Sequence, residues 1–330
     1  MSGPSSSRRT FLRRLVIASA GVAGFVVVHR QLTWPTPRVS FAHEGWSGWL
    51  ALPEKGGLIA LAAQVGGTPV QAVLDSGAQY SAIDAGLAAS LALPAATPLP
   101  MVAFGVSGGP SLARAVTLDA DLGAFALKGL RAATLDLQPL TALTRQPFSL
   151  LLGRDVLRAV VLQADFPAGR AAVFAPERWS PPAGSVQVAA RVHGGGLLVP
   201  VRIEAAPPVE VLLDTGATGA LALSEAAART AGLLDGRPLR SGPAVTLGGV
   251  SQDGLAPARQ VEFAGHRIAD LEVQIYRPAA QAPAPTGLLG LGVLARFHLA
   301  IDLPGSRLFL IGPEKPPPRP APRRSTRLDG

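Results

Sequence analysis

Cysteine is missing altogether from the 330 residues, which removes disulfides, thiol nucleophiles and zinc-thiolate sites from consideration. Charge is also scarce: 16% of residues are charged against 48% hydrophobic, so the chain can bury a sizeable core as one large domain or two small ones. No long run of strong helix formers crosses the middle, whereas 37 glycines and 31 prolines punctuate it. That mix favours many short strands joined by turns. The five histidines, at 29, 43, 193, 266 and 298, lack metal-ligand spacing and read as surface or loop residues.

A continuous basic surface is absent too, despite a net charge of +8. Residues 1–30 hold five arginines and no acid, and residues 313–330 hold five basic and two acidic side chains. The segment between them carries 20 of each sign and is neutral. A neutral body with basic ends does not offer what a phosphate backbone requires, and nucleic-acid binding is excluded as the main function.

The basic start has its own reading. Ser7-Arg8-Arg9-Thr10-Phe11-Leu12-Arg13 resembles the twin-arginine export motif, and an apolar run with no polar face follows over 15–28. At 14 residues the run is short for a membrane span, which needs about 20. The best small-residue triplet for cleavage, Ala18-Ser19-Ala20, lies early in it. A removed signal and a retained inner-membrane tether through residues 15–28 therefore both stand, and the motif implies an exported, periplasmic protein.

The most informative feature is a duplication. Val73-Leu74-Asp75-Ser76-Gly77-Ala78 returns 139 residues later as Leu212-Leu213-Asp214-Thr215-Gly216-Ala217. Gly57-Leu58-Ile59 returns as Gly196-Leu197-Leu198 at the same offset, and Leu151-Leu152-Gly153-Arg154-Asp155-Val156-Leu157 as Leu288-Leu289-Gly290-Leu291-Gly292-Val293-Leu294 at an offset of 137. Asp165-Phe166-Pro167 and Asp302-Leu303-Pro304 extend the match. Self-similarity in constant order indicates two lobes of one architecture.

Each lobe opens with alternating apolar residues, 58–65 and 197–203, and a second strand runs to the aspartate. A third strand leads into an alanine-rich helical turn, 85–93 and 224–233, followed by a glycine-rich hairpin near 104–109 and 247–254. Leu-Leu-Gly, a short helix and a hairpin turned at Pro167 or Pro304 close the lobe. The expected organisation is a signal or anchor (1–30), a connecting segment (31–54), lobe 1 (55–175), a linker (176–184), lobe 2 (185–312) and a Pro/Arg-rich disordered tail (313–330).

One Asp-Ser-Gly would be an ordinary turn. Two, at equivalent points of a repeat and 78 and 76 residues ahead of their Leu-Leu-Gly glycines, call for a joint role. These residues resemble the retropepsin-like aspartic peptidases, through both Asp-Ser/Thr-Gly-Ala loops and the Leu-Leu-Gly elements, over most of 55–312. Leu-Leu-Gly-Arg-Asp in the first half is an especially close match. The resemblance implies a mainly β fold of two acid-protease lobes related by a pseudo-twofold axis, in one chain where retroviral enzymes dimerise, and hence a monomer.

It further implies an endopeptidase acting on a peptide or protein substrate, with Asp75 and Asp214 as the catalytic pair. Two close carboxyls share one proton, and the pair activates water with no covalent intermediate, metal or other cofactor; aspartic proteases are a standing example of this arrangement. Ser76 and Thr215 would cross-brace the loops, with Gly77, Ala78, Gly216 and Ala217 supporting them. The glycine-rich hairpins become flaps, with Phe104, Gly105, Ser107, Gly108, Gly248 and Gly249 as substrate-contacting positions, although neither carries the tyrosine of pepsin-like flaps. Gln79 and Gly219 stand where retroviral enzymes carry an acid. The carboxylate brace of Arg154 is therefore expected to be absent or rerouted to Asp155, and the second lobe, with Leu291-Gly292, lacks it.

Three other readings compete with this one. Gly105-Val106-Ser107-Gly108-Gly109 fits G-x-S-x-G, and Ser107, Asp270 and His298 could form a serine-hydrolase triad, but Pro110 follows at once and no long helix does. Gly290-x-Gly292-x-x-Ala295 resembles a dinucleotide fingerprint without room for a βαβ unit. A periplasmic peptide-binding module could keep the fold without turnover.

Overall fold

Alternation of apolar and polar side chains sets the first hairpin. The computed structural model describes residues 17–18, 24–26, 34–53, 57–96, 101–104, 111–144, 146–246, 249–278 and 285–312. In strand Ala60–Val65 the side chains at 60, 61, 63 and 65 are buried and those at 62 and 64 exposed. Gly66 and Gly67 both take positive φ, +56° and +79°, as a two-residue hairpin turn requires. The chain returns antiparallel as Thr68–Leu74, with Val65 opposite Thr68 and Ala60 opposite Val73, and reaches Asp75.

The Leu-Leu-Gly element explains its composition by its position. Leu150–Leu152 is buried at every residue, because it lies between two strands of the same sheet. It runs parallel to Thr68–Leu74, with Leu152 beside Leu74, and antiparallel to Ala82–Asp84. Ala82–Asp84 in turn runs parallel to Phe125–Leu135. The second lobe repeats this arrangement: Gly287–Leu289 lies parallel to Val209–Leu213 and antiparallel to Leu221–Ser224, which is parallel to His266–Tyr276. Continuous apolar runs are what strands flanked on both sides and covered on both faces demand.

The lobes are joined by a six-stranded sheet with Val161–Asp165 of one lobe antiparallel to His298–Asp302 of the other at its centre. Each central strand turns back into a hairpin, Arg170–Phe174 and Arg307–Ile311. The turns are held alike: Arg170 Nε donates to Asp165 Oδ2 at 3.0 Å and Arg307 Nε to Asp302 Oδ2 at 2.8 Å. The connection between lobes begins with a 3-10 turn, Pro176–Arg178. Trp179 is buried just after it, donating its indole N–H to Gln163 Oε1 at 3.2 Å. The molecule is mainly β, in two like lobes, as the resemblance implies.

Both glycine-rich regions form hairpins. Met101–Phe104 pairs antiparallel with Ser111–Ala113, and Arg240–Thr246 with Gly249–Phe263, where Thr246 faces Gly249. Phe104 and Gly249 are thus strand-end positions, while Gly105, Ser107, Gly108 and Gly248 lie outside the described residues. Of the apolar N-terminal run, Ile17–Ala18 pairs parallel with Arg240–Thr246 and Gly24–Val26 antiparallel with Met101–Phe104. Among the described residues no helix is long and apolar enough to cross a membrane. The tail 313–330 lies outside them.

Candidate active site

Each aspartate leaves its strand at the same structural point. The Asp75 N–H donates to Leu152 O and the Asp214 N–H to Leu289 O, both at 2.9 Å. Both side chains are fully buried. Asp75 Oδ1 accepts from the Gly77 and Ala78 N–H groups at 2.8 and 3.0 Å, and Asp214 Oδ1 from Gly216 and Ala217 at 2.9 and 3.1 Å. One oxygen of each carboxyl is therefore fixed by its own loop.

The loops then lock into one another. Ser76 Oγ donates to Leu213 O and Thr215 Oγ1 donates to Leu74 O, each at 2.8 Å. In return Thr215 Oγ1 accepts from the Ser76 N–H at 2.9 Å and Ser76 Oγ from the Thr215 N–H at 3.1 Å. Four bonds with interchanged partners make a pseudo-twofold brace of buried groups, where leaving any of them unpaired would cost about 1–3 kcal/mol. Residues 139 apart in sequence are thereby held together.

Glycine lets the carboxyls meet. A Cβ at Gly77 would lie 2.3 Å from Asp214 Cγ, and one at Gly216 would lie 2.3 Å from Asp75 Cγ. Oδ2 of each aspartate is buried and receives no hydrogen bond from other described residues. Each carboxyl also acts on the ionisation of the other. Burial pushes Asp75 up to about 6. It pushes Asp214 well above the usual carboxylate range, with the Asp75 charge adding to the rise.

This fold built twice invites comparison with known families. An aspartyl protease family model matches the chain in two places, residues 61–156 and 199–293, once in each lobe. The chain belongs to the aspartyl protease family. Among solved structures it is similar to a retropepsin-like aspartic protease from Rickettsia conorii, at 22% identity over 40% of this chain and 93% of that one, with a TM-score of 0.31. No curated protein matches it.

Within this aspartyl protease framework the Leu-Leu-Gly glycines have a steric role. A Cβ at Gly153 would lie 2.7 Å from the Tyr80 carbonyl carbon, and one at Gly290 2.4 Å from Gly219 O. The next residue of each element ties back to the Asp loop, Arg154 N–H to Ala78 O at 3.0 Å and Leu291 N–H to Ala217 O at 2.7 Å. The Gly290-x-Gly292 run is thus the closing element of lobe 2.

The brace of Arg154 is not rerouted to Asp155. Asp155 Oδ1 accepts from Ser81 Oγ at 2.9 Å and Oδ2 from Trp34 Nε1 at 3.0 Å, while Ser81 Oγ accepts from the Gly153 N–H at 3.1 Å. Burial raises the Asp155 pKa against these bonds. Trp34, Ser81 and Tyr80, whose ring stacks on Trp34 at 4.4 Å, form a support behind loop 1 that sequence reasoning missed. A signal existed: the repeat exchanges Ser81 and Asp155 together for Ala220 and Gly292. There the backbones pack directly on one another, since a Cβ at Gly292 would lie 2.7 Å from Ala220 Cα.

Of the serine-hydrolase candidates, Asp270 and His298 lie among the described residues. Ser107 lies outside the described residues, and Asp270 is exposed on His266–Tyr276. His298 belongs to the central sheet, its Nε2 2.8 Å from Gln163 Nε2 and its Nδ1 4.0 Å from Asp165 Oδ2.

Proposed function

We propose that the chain is an aspartic endopeptidase in which Asp75 and Asp214 together activate a water molecule. The observation that carries this reading is the meeting of two buried carboxyls, each anchored through one oxygen and open through the other. With one proton on the pair, the ionised carboxylate takes a proton from water as its oxygen attacks the scissile carbonyl. The protonated partner donates to the carbonyl oxygen. Collapse of the tetrahedral species returns a proton to the leaving amine and restores the pair.

An extended peptide lying between the hairpins Met101–Phe104/Ser111–Ala113 and Arg240–Thr246/Gly249–Phe263 would complete the site, with the glycine-rich tips as flaps. The twin-arginine resemblance supports a periplasmic site of action, free or tethered through residues 15–28. With burial holding the first ionisation of the pair near pH 6, activity rises as pH increases through that value and falls once the second proton is lost.

The test is cleavage of an unfolded protein substrate by the parent and by Asp75→Asn and Asp214→Asn. Each substitution is expected to lower kcat by at least about 1000-fold, as for other acid–base pairs, without change in the circular dichroism spectrum. A statine-type transition-state mimic should inhibit the parent. Cleavage undiminished in both variants rejects the pair, and a folded parent that binds peptide but cleaves nothing supports a peptide-binding module instead.

A further inference from the structure

The hydrogen bonds around the two carboxyls are matched almost one for one, so they give neither aspartate a separate task. The first departure from symmetry close to the pair is the residue after Leu-Leu-Gly. Arg154 and Leu291 occupy equivalent places, each bonded through its N–H to the Ala of the adjacent Asp loop, and each buried, at 4% and 1% exposure. One lobe therefore buries a guanidinium where the other buries an isobutyl group.

That guanidinium is poorly neutralised. Its neighbour Asp155 spends both oxygens on Ser81 and Trp34, and Arg154 Nε has no acceptor among the described residues. Room for it comes from the other lobe, since a Cβ at Gly196 would lie 2.3 Å from Arg154 Nη1. The charged groups acting on it are Asp75 first, then Arg158 at the end of the same helical turn, then Asp214. A buried cation without its own anion acts on a nearby carboxylate, and the backbone of Arg154 is tied to the Asp75 loop at Ala78, whose N–H binds Asp75 Oδ1.

Resting on the peptidase reading, we infer that Arg154 is a positioning residue that keeps the negative charge of the pair on Asp75, making Asp75 the base toward water and Asp214 the proton donor to substrate. In the attack, the water oxygen bonds to the carbonyl carbon, one O–H bond of that water breaks toward Asp75, and the carbonyl π pair moves to oxygen. That oxygen takes the Asp214 proton, leaving Asp75 protonated and Asp214 ionised. Burial raises both carboxyls, and the Arg154 charge acts to lower Asp75.

The test reads protonation and needs no turnover. In Asp75→Asn and Asp214→Asn the surviving carboxyl is titrated by 13C NMR of labelled aspartate. Asp75, surviving in Asp214→Asn, should titrate at least about one pH unit below Asp214, surviving in Asp75→Asn, as expected for a carboxylate near an arginine. Adding Arg154→Gln should raise Asp75 and narrow the gap, whereas Arg154→Lys should retain most of it. Equal titration of the two carboxyls, or a gap unmoved by Arg154→Gln in a folded protein, overturns the assignment. Should Arg154→Gln fail to fold, Arg154→Leu, the side chain found at the equivalent place of the second lobe, is titrated in its place, with the same outcomes. The titrations remain readable if the protein cleaves nothing, so failure of the peptidase reading and failure of the Arg154 assignment are distinguishable.

Discussion

At the scale of single residues, the site stores an opposition between activity and stability. An unfolded aspartate releases its proton near pH 3.9, whereas the buried pair holds its protons to about 6 and beyond. Between those values the native state binds more protons than the unfolded chain, so stability falls as pH rises. Asp214→Asn removes part of that fall. It should raise the unfolding temperature by a few degrees at pH 8, with the gain fading toward pH 4, as a pH series of thermal melts would read. The neighbouring brace behaves oppositely. Thr215→Val keeps the volume but deprives Leu74 O of its donor and the Ser76 N–H of its acceptor, a loss of about 1–3 kcal/mol for each buried group. Denaturant unfolding should show a lower midpoint at every pH, because no titrating group is involved.

At the scale of elements, legibility followed periodicity and repetition. The hairpin Ala60–Val65/Thr68–Leu74 was readable from alternation, and Leu150–Leu152 from its second copy. The helices were read too long: 85–93 and 224–233 are seen as Ala85–Ser90 and Glu225–Thr230. Ser224 is the cap, accepting from the Ala227 N–H, and Asp84 plays the same part for Leu87. The far ends close through left-handed residues, Ala92 and Gly232, followed by Leu93 and Leu233 turned back toward the protein, an apolar continuation that reads as helix in sequence. The contact of Trp34 with Asp155 was not legible, because a lone tryptophan in a connecting segment carries no period and its partner lies 121 residues away. The loops themselves were legible because steric need restricts them so tightly. Gly216→Ala should therefore cost nearly all turnover, its Cβ displacing the Asp75 carboxyl, and a kcat loss comparable to that of Asp75→Asn is the expected kinetic result.

At the scale of the whole molecule, the half-sites are assembled by pairing within one chain. The strands Val161–Asp165 and His298–Asp302 hydrogen-bond along their full lengths, and a single buried apolar cluster runs through both lobes. Bringing the aspartates together is then a unimolecular event. On the peptidase reading, specific activity should stay constant as the protein is diluted from micromolar to nanomolar concentration, whereas a site shared between separate chains would lose activity below its dissociation constant. A progressive loss measured at constant substrate would show that a second copy is needed.

The central sheet carries one more implication. In a homodimer every residue on the twofold axis must face its own duplicate, so it has to suit itself. Here Gln163 faces Ala300 across the strand pair, and the amide is free to serve Trp179 on one side and His298 on the other. Covalent joining has released the axis from self-complementarity, and the two halves have diverged where identical subunits could not.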